Sequence, residues 1–237
     1  MTTITLPDEM PSRMRQLRRD EVGRPVPFFA AEVDGKHDFR LMDAEALITA
    51  IKDELCFVCG QRLNRSRYTT GPRGTFVVGP MCVVNRISAE PPNHADCARW
   101  SARACPFLTK PLKERRDSNL PEGVTAGEAA GFMIERNPGV TALVSSERWR
   151  VFEAPMGGHG LLFQFHIEHV NFMTAGREST IEEVLWSMET GLPALMNMAR
   201  EDGGMQSLGR KVRTALRLFP HGNVEEYPNL TEALAAA

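Results

Sequence analysis

CFVCGQRL, residues 56–63, sets two cysteines three apart and follows the second with glycine. A Cys-x-x-Cys turn is half of a tetrahedral metal site, and equally half of a redox motif. The redox reading requires a thioredoxin-like βαβ setting, and the flanking sequence lacks one. Upstream, DAEALITAIKDEL (43–55) spaces Ala44, Leu47, Ile51 and Leu55 as one helix face, with Asp43 at the N-cap. Downstream, NRSRYTTGPRG (64–74) is polar and glycine-containing. A second ligand pair is found in HADC, where His94 and Cys97 stand at i and i+3 at the start of an expected helix. That spacing puts both side chains on one face, one turn apart. Cys56, Cys59, His94 and Cys97 then make a Cys₃His set, which suits tetrahedral Zn²⁺ and leaves no position open for water. Such a zinc is structural. Cys82 is the rival ligand, since it could replace His94. Cys105 is eight residues beyond Cys97, about 12 Å along a helix axis, too far to share a site unless the helix breaks.

A knuckle, a hairpin and a helix carrying the last two ligands follow one another in an order that resembles the treble-clef zinc finger. The resemblance covers about residues 54–106 and implies that Cys56, Cys59, His94 and Cys97 bind zinc, with Gly60 as the glycine after the knuckle. The 34 residues between Cys59 and His94 are more than many such fingers have. Treble clefs also form the core of HNH-type nucleases, which need a histidine on the hairpin. No histidine occurs between Cys59 and His94, so that chemistry is not expected. The stretches GPMCVVNR, EPPNHADC and ACPFL are similar to an uncharacterised family of bacteria and their phages. That likeness implies a phage or prophage origin and brings no activity with it.

The chain has 237 residues, an apolar fraction of 42% and a net charge of −2. One largish domain or two small ones can be built from it. The N-terminal MTTITLPDEMPSRMRQLRRDE has no apolar signal core, and no run reaches the length of a membrane span. A cytoplasmic protein without a membrane partner is expected. Five cysteines in this length do not form a disulfide framework. The charge is unevenly spread. Residues 56–116 carry eleven Lys and Arg against three Asp and Glu, so the remainder holds −10. Arg62, Arg65, Arg67 and Arg73 crowd one loop, with Tyr68 among them.

The fold class expected is α+β, a treble-clef-like zinc module followed by antiparallel strands and helices. Residues 1–24 read as a loosely ordered segment with a short basic helix. Residues 25–106 hold a hairpin turning at Asp34-Gly35, the first helix and the zinc module. Within the module, TFVVGPMCVVNRI (75–87) reads as a hairpin broken at Gly79-Pro80, and Asn93 as a helix N-cap. Residues 107–128 read as a linker and 129–237 as a C-terminal α+β domain. There, VTALVSS (140–146) and RWRVFEA (148–154) are strands, and PMGGHG (155–160) is a turn. LLFQFHIEHVNFM (161–173) reads as one long strand. STIEEVLWSMETG (179–191) reads as a helix with a Ser179–Glu182 capping box, stopped by Gly191, with Pro193 opening the next. The last helix has Leu208, Val212, Leu216 and Phe219 on one face.

No catalytic residue is assigned, and the balance of the sequence is against an enzyme. His166 and His169 would point to opposite faces of a strand, and His166 with Glu168 reads as a surface ion pair. His159 is left without a role. Two functions remain. The first is a zinc-stabilised DNA- or RNA-binding protein in which Arg62, Arg65, Arg67 and Arg73 contact phosphate and Tyr68 stacks on a base. The alternative is a non-catalytic protein-interaction adaptor or inhibitor with a structural zinc, with Trp149 or Trp186 as aromatic anchors.

Overall fold

The computed structural model describes residues 9–111, 137–154, 160–219 and 222–237. Most of the expected linker, the turn at 155–159 and His159 lie outside them. The fold is mixed α/β, and every strand pair is antiparallel. The first hairpin is β1 (Ala30–Val33) with β2 (Lys36–Met42). Its turn residues Asp34 and Gly35 have φ of 52° and 75°, the backbone an Asp-Gly hairpin turn demands. Helix α1 (Ala44–Asp53) starts where expected, with the Asp43 side chain accepting from the Ala46 N–H at 2.8 Å.

Beyond the knuckle, β3 (Gly74–Val78) does not turn back on itself. The expected hairpin at Gly79-Pro80 is instead the start of a helix, α2 (Pro80–Asn85), with Gly79 as N-cap and proline at the first position. Val83 and Val84 are buried by that helix, which is why it wins over a turn. A two-residue strand, β4 (Ile87–Ser88), precedes helix α3 (Ala95–Ala104). The C-terminal strands are β5 (Thr141–Ser146), β6 (Trp149–Glu153), β7 (Leu161–Phe165), β8 (His169–Thr174) and β9 (Arg177–Glu178). They form two sheets, ordered β3-β5-β8-β9 and β4-β7-β6. Each sheet therefore draws strands from both sides of residues 112–136.

The single long strand expected at 161–173 is two strands in different sheets. The chain bends at 166–168, where the His166 N–H donates to the Arg148 carbonyl at 2.9 Å and the Glu168 N–H to the Ser145 carbonyl at 3.0 Å. That corner folds the smaller sheet over the larger. Phe163 and Phe165 face Phe76 across it.

Helix α4 (Ile181–Glu201) is capped by Thr180 and Glu183, one residue along from the expected Ser179 and Glu182. It runs straight through Gly191 and Pro193 rather than stopping. A Cβ on Gly191 would meet the Met81 side chain at 2.8 Å, so glycine here permits close packing of α4 on α2. Pro193 has no N–H for the Glu189 carbonyl. The Asn229 side-chain amide donates to that carbonyl instead, at 3.2 Å. The Glu189 carboxylate in turn accepts from the Asn229 and Leu230 backbone N–H groups at 2.9 and 3.0 Å. These donors open helix α6 (Pro228–Ala235), which packs beside α5 (Met205–Leu216). Glu189→Ala strips the cap from α6, and a loss of about 2 kcal/mol is expected in urea denaturation. A change below about 0.5 kcal/mol would show that water serves these donors equally well.

The main core gathers Phe76, Val84, Val144, Phe163, Phe165, Met188, Leu192, Val212 and Leu230 from both sheets and the helices. A second cluster holds Met14, Cys56, Val58, Cys59, Leu63, Cys97 and Trp100. Trp149 packs against both. Residues 9–24, read from sequence as loosely ordered, contribute Met14 to this second cluster at 1% exposure. The basic helix expected around residues 14–21 does not form; a 3₁₀ turn, Ser12–Met14, ends at its first residue.

Candidate metal centre

Between α1 and β3 the chain makes a tight knuckle. Glu54 closes α1 in the left-handed region, and Leu55 bridges to Arg62 across the turn. Inside it, the Cys56 N–H donates to the Gln61 carbonyl at 2.7 Å and the Gly60 N–H to the Cys56 carbonyl at 2.8 Å. Gly60 has φ of 69°, and a Cβ there would press to 2.8 Å from the Phe28 ring. Glycine after the second cysteine is therefore required twice over.

The other two ligands enter from α3. The 34 residues between Cys59 and His94 hold the basic loop, β3, α2 and β4. After that excursion the chain returns to β3, where Asn93 and Thr75 exchange backbone hydrogen bonds of 2.7 and 2.8 Å. Asn93 is not the helix cap. Its side-chain oxygen accepts the Val58 N–H at 3.0 Å and so ties the knuckle to the start of α3, while His94 occupies the N-cap position. Sequence spacing pointed to Asn93 for a different task, because an N-cap asparagine and a bracing asparagine look the same in one dimension.

Cys56, Cys59, His94 and Cys97 are all buried, and their ligand atoms lie within 4.8 Å of one another. His94 Nδ1 is 3.4 Å from Cys59 Sγ. The other ring nitrogen, Nε2, is 3.1 Å from the Arg62 carbonyl. A carbonyl only accepts, so Nε2 carries a proton and Nδ1 faces the sulfurs, an orientation typical of a ligating histidine. The His94 backbone N–H also donates to Cys56 Sγ at 3.3 Å.

The three sulfurs and the imidazole perturb one another strongly. Hydrogen bonds from Cys56 and Cys97 hold the Cys59 thiol far below its ordinary range. Those same sulfur contacts keep the proton on Cys97. Burial alone would depress His94, yet hydrogen bonds and charge from Cys56 and Cys59 raise it to about 9. Three sulfurs and an imidazole nitrogen, buried and convergent, could hold a metal ion.

Cys82 does not belong to this group. It sits on α2, where burial pushes its thiol up. Cys105 is the C-cap of α3. Among the described residues no other cluster of His, Cys, Asp or Glu is placed to bind a metal. His166 Nδ1 is 3.5 Å from Glu168 on a half-exposed corner, and His169 pairs with Asn171.

The loop after the knuckle is a closed turn. The Arg73 N–H donates to the Asn64 carbonyl at 2.7 Å and the Ser66 N–H to the Gly71 carbonyl at 3.0 Å. The Ser66 hydroxyl donates to Glu147 at 2.5 Å and pins the turn to the β5–β6 corner. Of the basic side chains expected to bind, Arg65 pairs with Glu54 at 2.9 Å and Arg73 with Glu147 at 3.8 Å. Arg62 and Arg67 have no acidic partner among the described residues. Tyr68 stands out at 87% exposure.

Comparison of the chain with family models, curated proteins and solved structures finds no match. Among the described residues no helix is long and apolar enough to cross a membrane.

Proposed function

We propose that Cys56, Cys59, His94 and Cys97 hold a structural Zn²⁺ in a treble-clef-type module, and that the adjoining loop binds nucleic acid. Zn–S distances near 2.3 Å imply ligand separations of roughly 3.8 Å in a tetrahedron. The observed cluster needs only a small contraction to reach them. The treble-clef reading draws support from the order of parts: knuckle, β3 with its return at Asn93, then α3. The excursion through α2 and β4 accounts for the long spacing.

One observation carries the nucleic-acid reading. The Arg62 carbonyl is hydrogen-bonded to His94 of the metal centre, and the same loop lifts Arg67 and Tyr68 into solvent. A rigid, cationic loop with an exposed ring offers both phosphate pairing and base stacking. Fluorescence anisotropy with labelled single-stranded and duplex DNA and RNA at two salt concentrations is the test. Binding is expected to fall steeply with salt, and Tyr68→Ala to weaken it about tenfold or more. Salt-insensitive behaviour, or no binding at low salt, would remove this reading. The adaptor or inhibitor would then take its place, favoured by Trp186, which lies 42% exposed on α4.

A further inference from the structure

The small sheet β4-β7-β6 has one face in the core and one outside. On β6, Trp149 points inward and meets the Phe76 ring edge-on at 5.7 Å. Its neighbours Arg148 and Arg150 must therefore project from the opposite face. The pairing of the Arg148 carbonyl with the His166 N–H extends this ladder one residue past the strand. Arg150 stands across from Gln164, whose side-chain oxygen accepts its Nε at 2.6 Å. That bond, with the Phe152 ring centroid 5.7 Å from the guanidinium, orients Arg150 on an exposed surface.

A third arginine arrives from the other edge. Arg86 closes α2 with φ of 59° and accepts the Phe165 N–H on its carbonyl at 3.0 Å. Arg86, Arg148, Arg150, Gln164 and His166 together line one open cleft of ≈ 330 Å³. Of the acids at this corner, Glu168 is turned to His166 and Glu147 to Ser66 and Arg73. Among the described residues none of the three arginines has an acidic partner. Arginines without acidic partners on one surface make a local positive potential that attracts anions.

This cleft adjoins the basic loop. Glu147, the residue before Arg148, accepts from Ser66 on its carboxylate and from the Thr69 hydroxyl on its carbonyl at 3.3 Å. Thr69, Thr70 and Gly71 line a neighbouring cleft of ≈ 440 Å³ together with Arg148 and Trp149. Arg148 and Trp149 thus belong to both clefts, which join the arginine face to Thr69–Gly71 of the loop, next to Tyr68.

We infer that the arginine face of β4-β7-β6 is the second half of a single-stranded nucleic-acid track, in which Arg86, Arg148 and Arg150 take backbone phosphates of a strand that continues to Tyr68. The inference rests on the nucleic-acid reading of the loop and extends it to Arg86 and to Arg148 and Arg150, which lie 80 and 82 residues beyond Tyr68. A row of cations along a groove with an exposed ring at one end follows the general plan for single strands.

The test uses the full zinc-loaded chain and a labelled single-stranded oligonucleotide of about 15 nucleotides, the upper range of a single-domain site. Wild type is compared with Arg148→Ala/Arg150→Ala, with Arg148→Lys/Arg150→Lys and with Arg67→Ala/Tyr68→Ala. The two arginines are exposed, so metal content and melting temperature should stay unchanged in their variants. The alanine pair is expected to bind roughly tenfold more weakly at low salt, with the salt slope reduced by about 1.4, or 0.7 for each phosphate lost. The lysine pair should keep the slope. Wild-type affinity and slope in the alanine pair, with loss only in the loop variant, would overturn the inference and leave the loop reading standing. No binding by wild type would overturn both. Equal losses on duplex and single strand would overturn the assignment to single strands.

Discussion

Cys56→Ser is expected to abolish metal binding and to lower the melting temperature by about 10 °C or more, the equivalent of some 3 to 5 kcal/mol in a chain this size. The reason is the position of Cys56. It is fully buried, its sulfur accepts the His94 N–H, and its backbone closes the knuckle in both directions. In small metal modules the free energy of binding is folding free energy, so a missing ligand is felt as unfolding of the segment it holds. That segment is not isolated, because Met14, Leu63 and Trp100 pack directly around the sulfurs. Elemental analysis of chelator-free protein should read one zinc per chain in the wild type and close to none in the variant. Cys82→Ser supplies the contrast, since Cys82 lies on α2 outside the four-residue group. It should retain the metal. Full zinc and an unchanged melting temperature in Cys56→Ser would show that the site has been placed on the wrong residues.

The cluster of Cys56, Cys59, His94 and Cys97 was legible because each half of it is local. Two cysteines three apart, and a histidine and a cysteine one helical turn apart, announce themselves without knowledge of the fold. Asp34-Gly35 was legible for a similar reason, since a turn with two positive φ angles has few other spellings. Where the reading failed, the deciding partner was remote. Gly79-Pro80 suits a turn and a helix start equally, and the choice falls to burial of Val83 and Val84 and to β3 pairing with β5 instead of with its neighbour. Gly191 and Pro193 read as a break because Asn229, which satisfies the freed carbonyl, comes forty residues later. Ser179-Glu182 and Thr180-Glu183 have identical spacing, and Ser179 instead exchanges a hydrogen bond with Thr174. The basic surface suffered most. Composition showed an arginine excess around the cysteines, but Glu54 and Glu147 take up Arg65 and Arg73. Arg148 and Arg150 went unremarked outside the cysteine-rich segment, although alternation in RWR already places both on one face of a strand.

Phe76→Ala should cost about 3 to 5 kcal/mol, as deletion of a large, fully buried ring does when its surroundings relax only in part. Phe76 lies on β3, the strand that runs from the metal side into the larger sheet. Its ring stacks on Phe165 at 4.7 Å, meets Trp149 edge-on at 5.7 Å and lies 6.1 Å from Phe163. Two of those partners belong to the smaller sheet's β7, and Trp149 also touches the cluster around the cysteines. One ring thus joins both sheets and, through Trp149, the metal centre. The substitution is therefore expected to shift a single unfolding transition to lower denaturant, with its slope unchanged and with metal release coinciding with the loss of far-UV signal. Phe76→Leu, which leaves a smaller void, should cost roughly 1 to 2 kcal/mol. If metal release and loss of the C-terminal helices separated into two transitions in the wild-type protein, the metal centre and the main core would be independent units. The coupling assigned to Phe76 and Trp149 would then be wrong. If they stay together, a metal bound at the knuckle would also stabilise the sheet that carries Arg148 and Arg150, and removing it should disable both ends of the proposed basic surface at once.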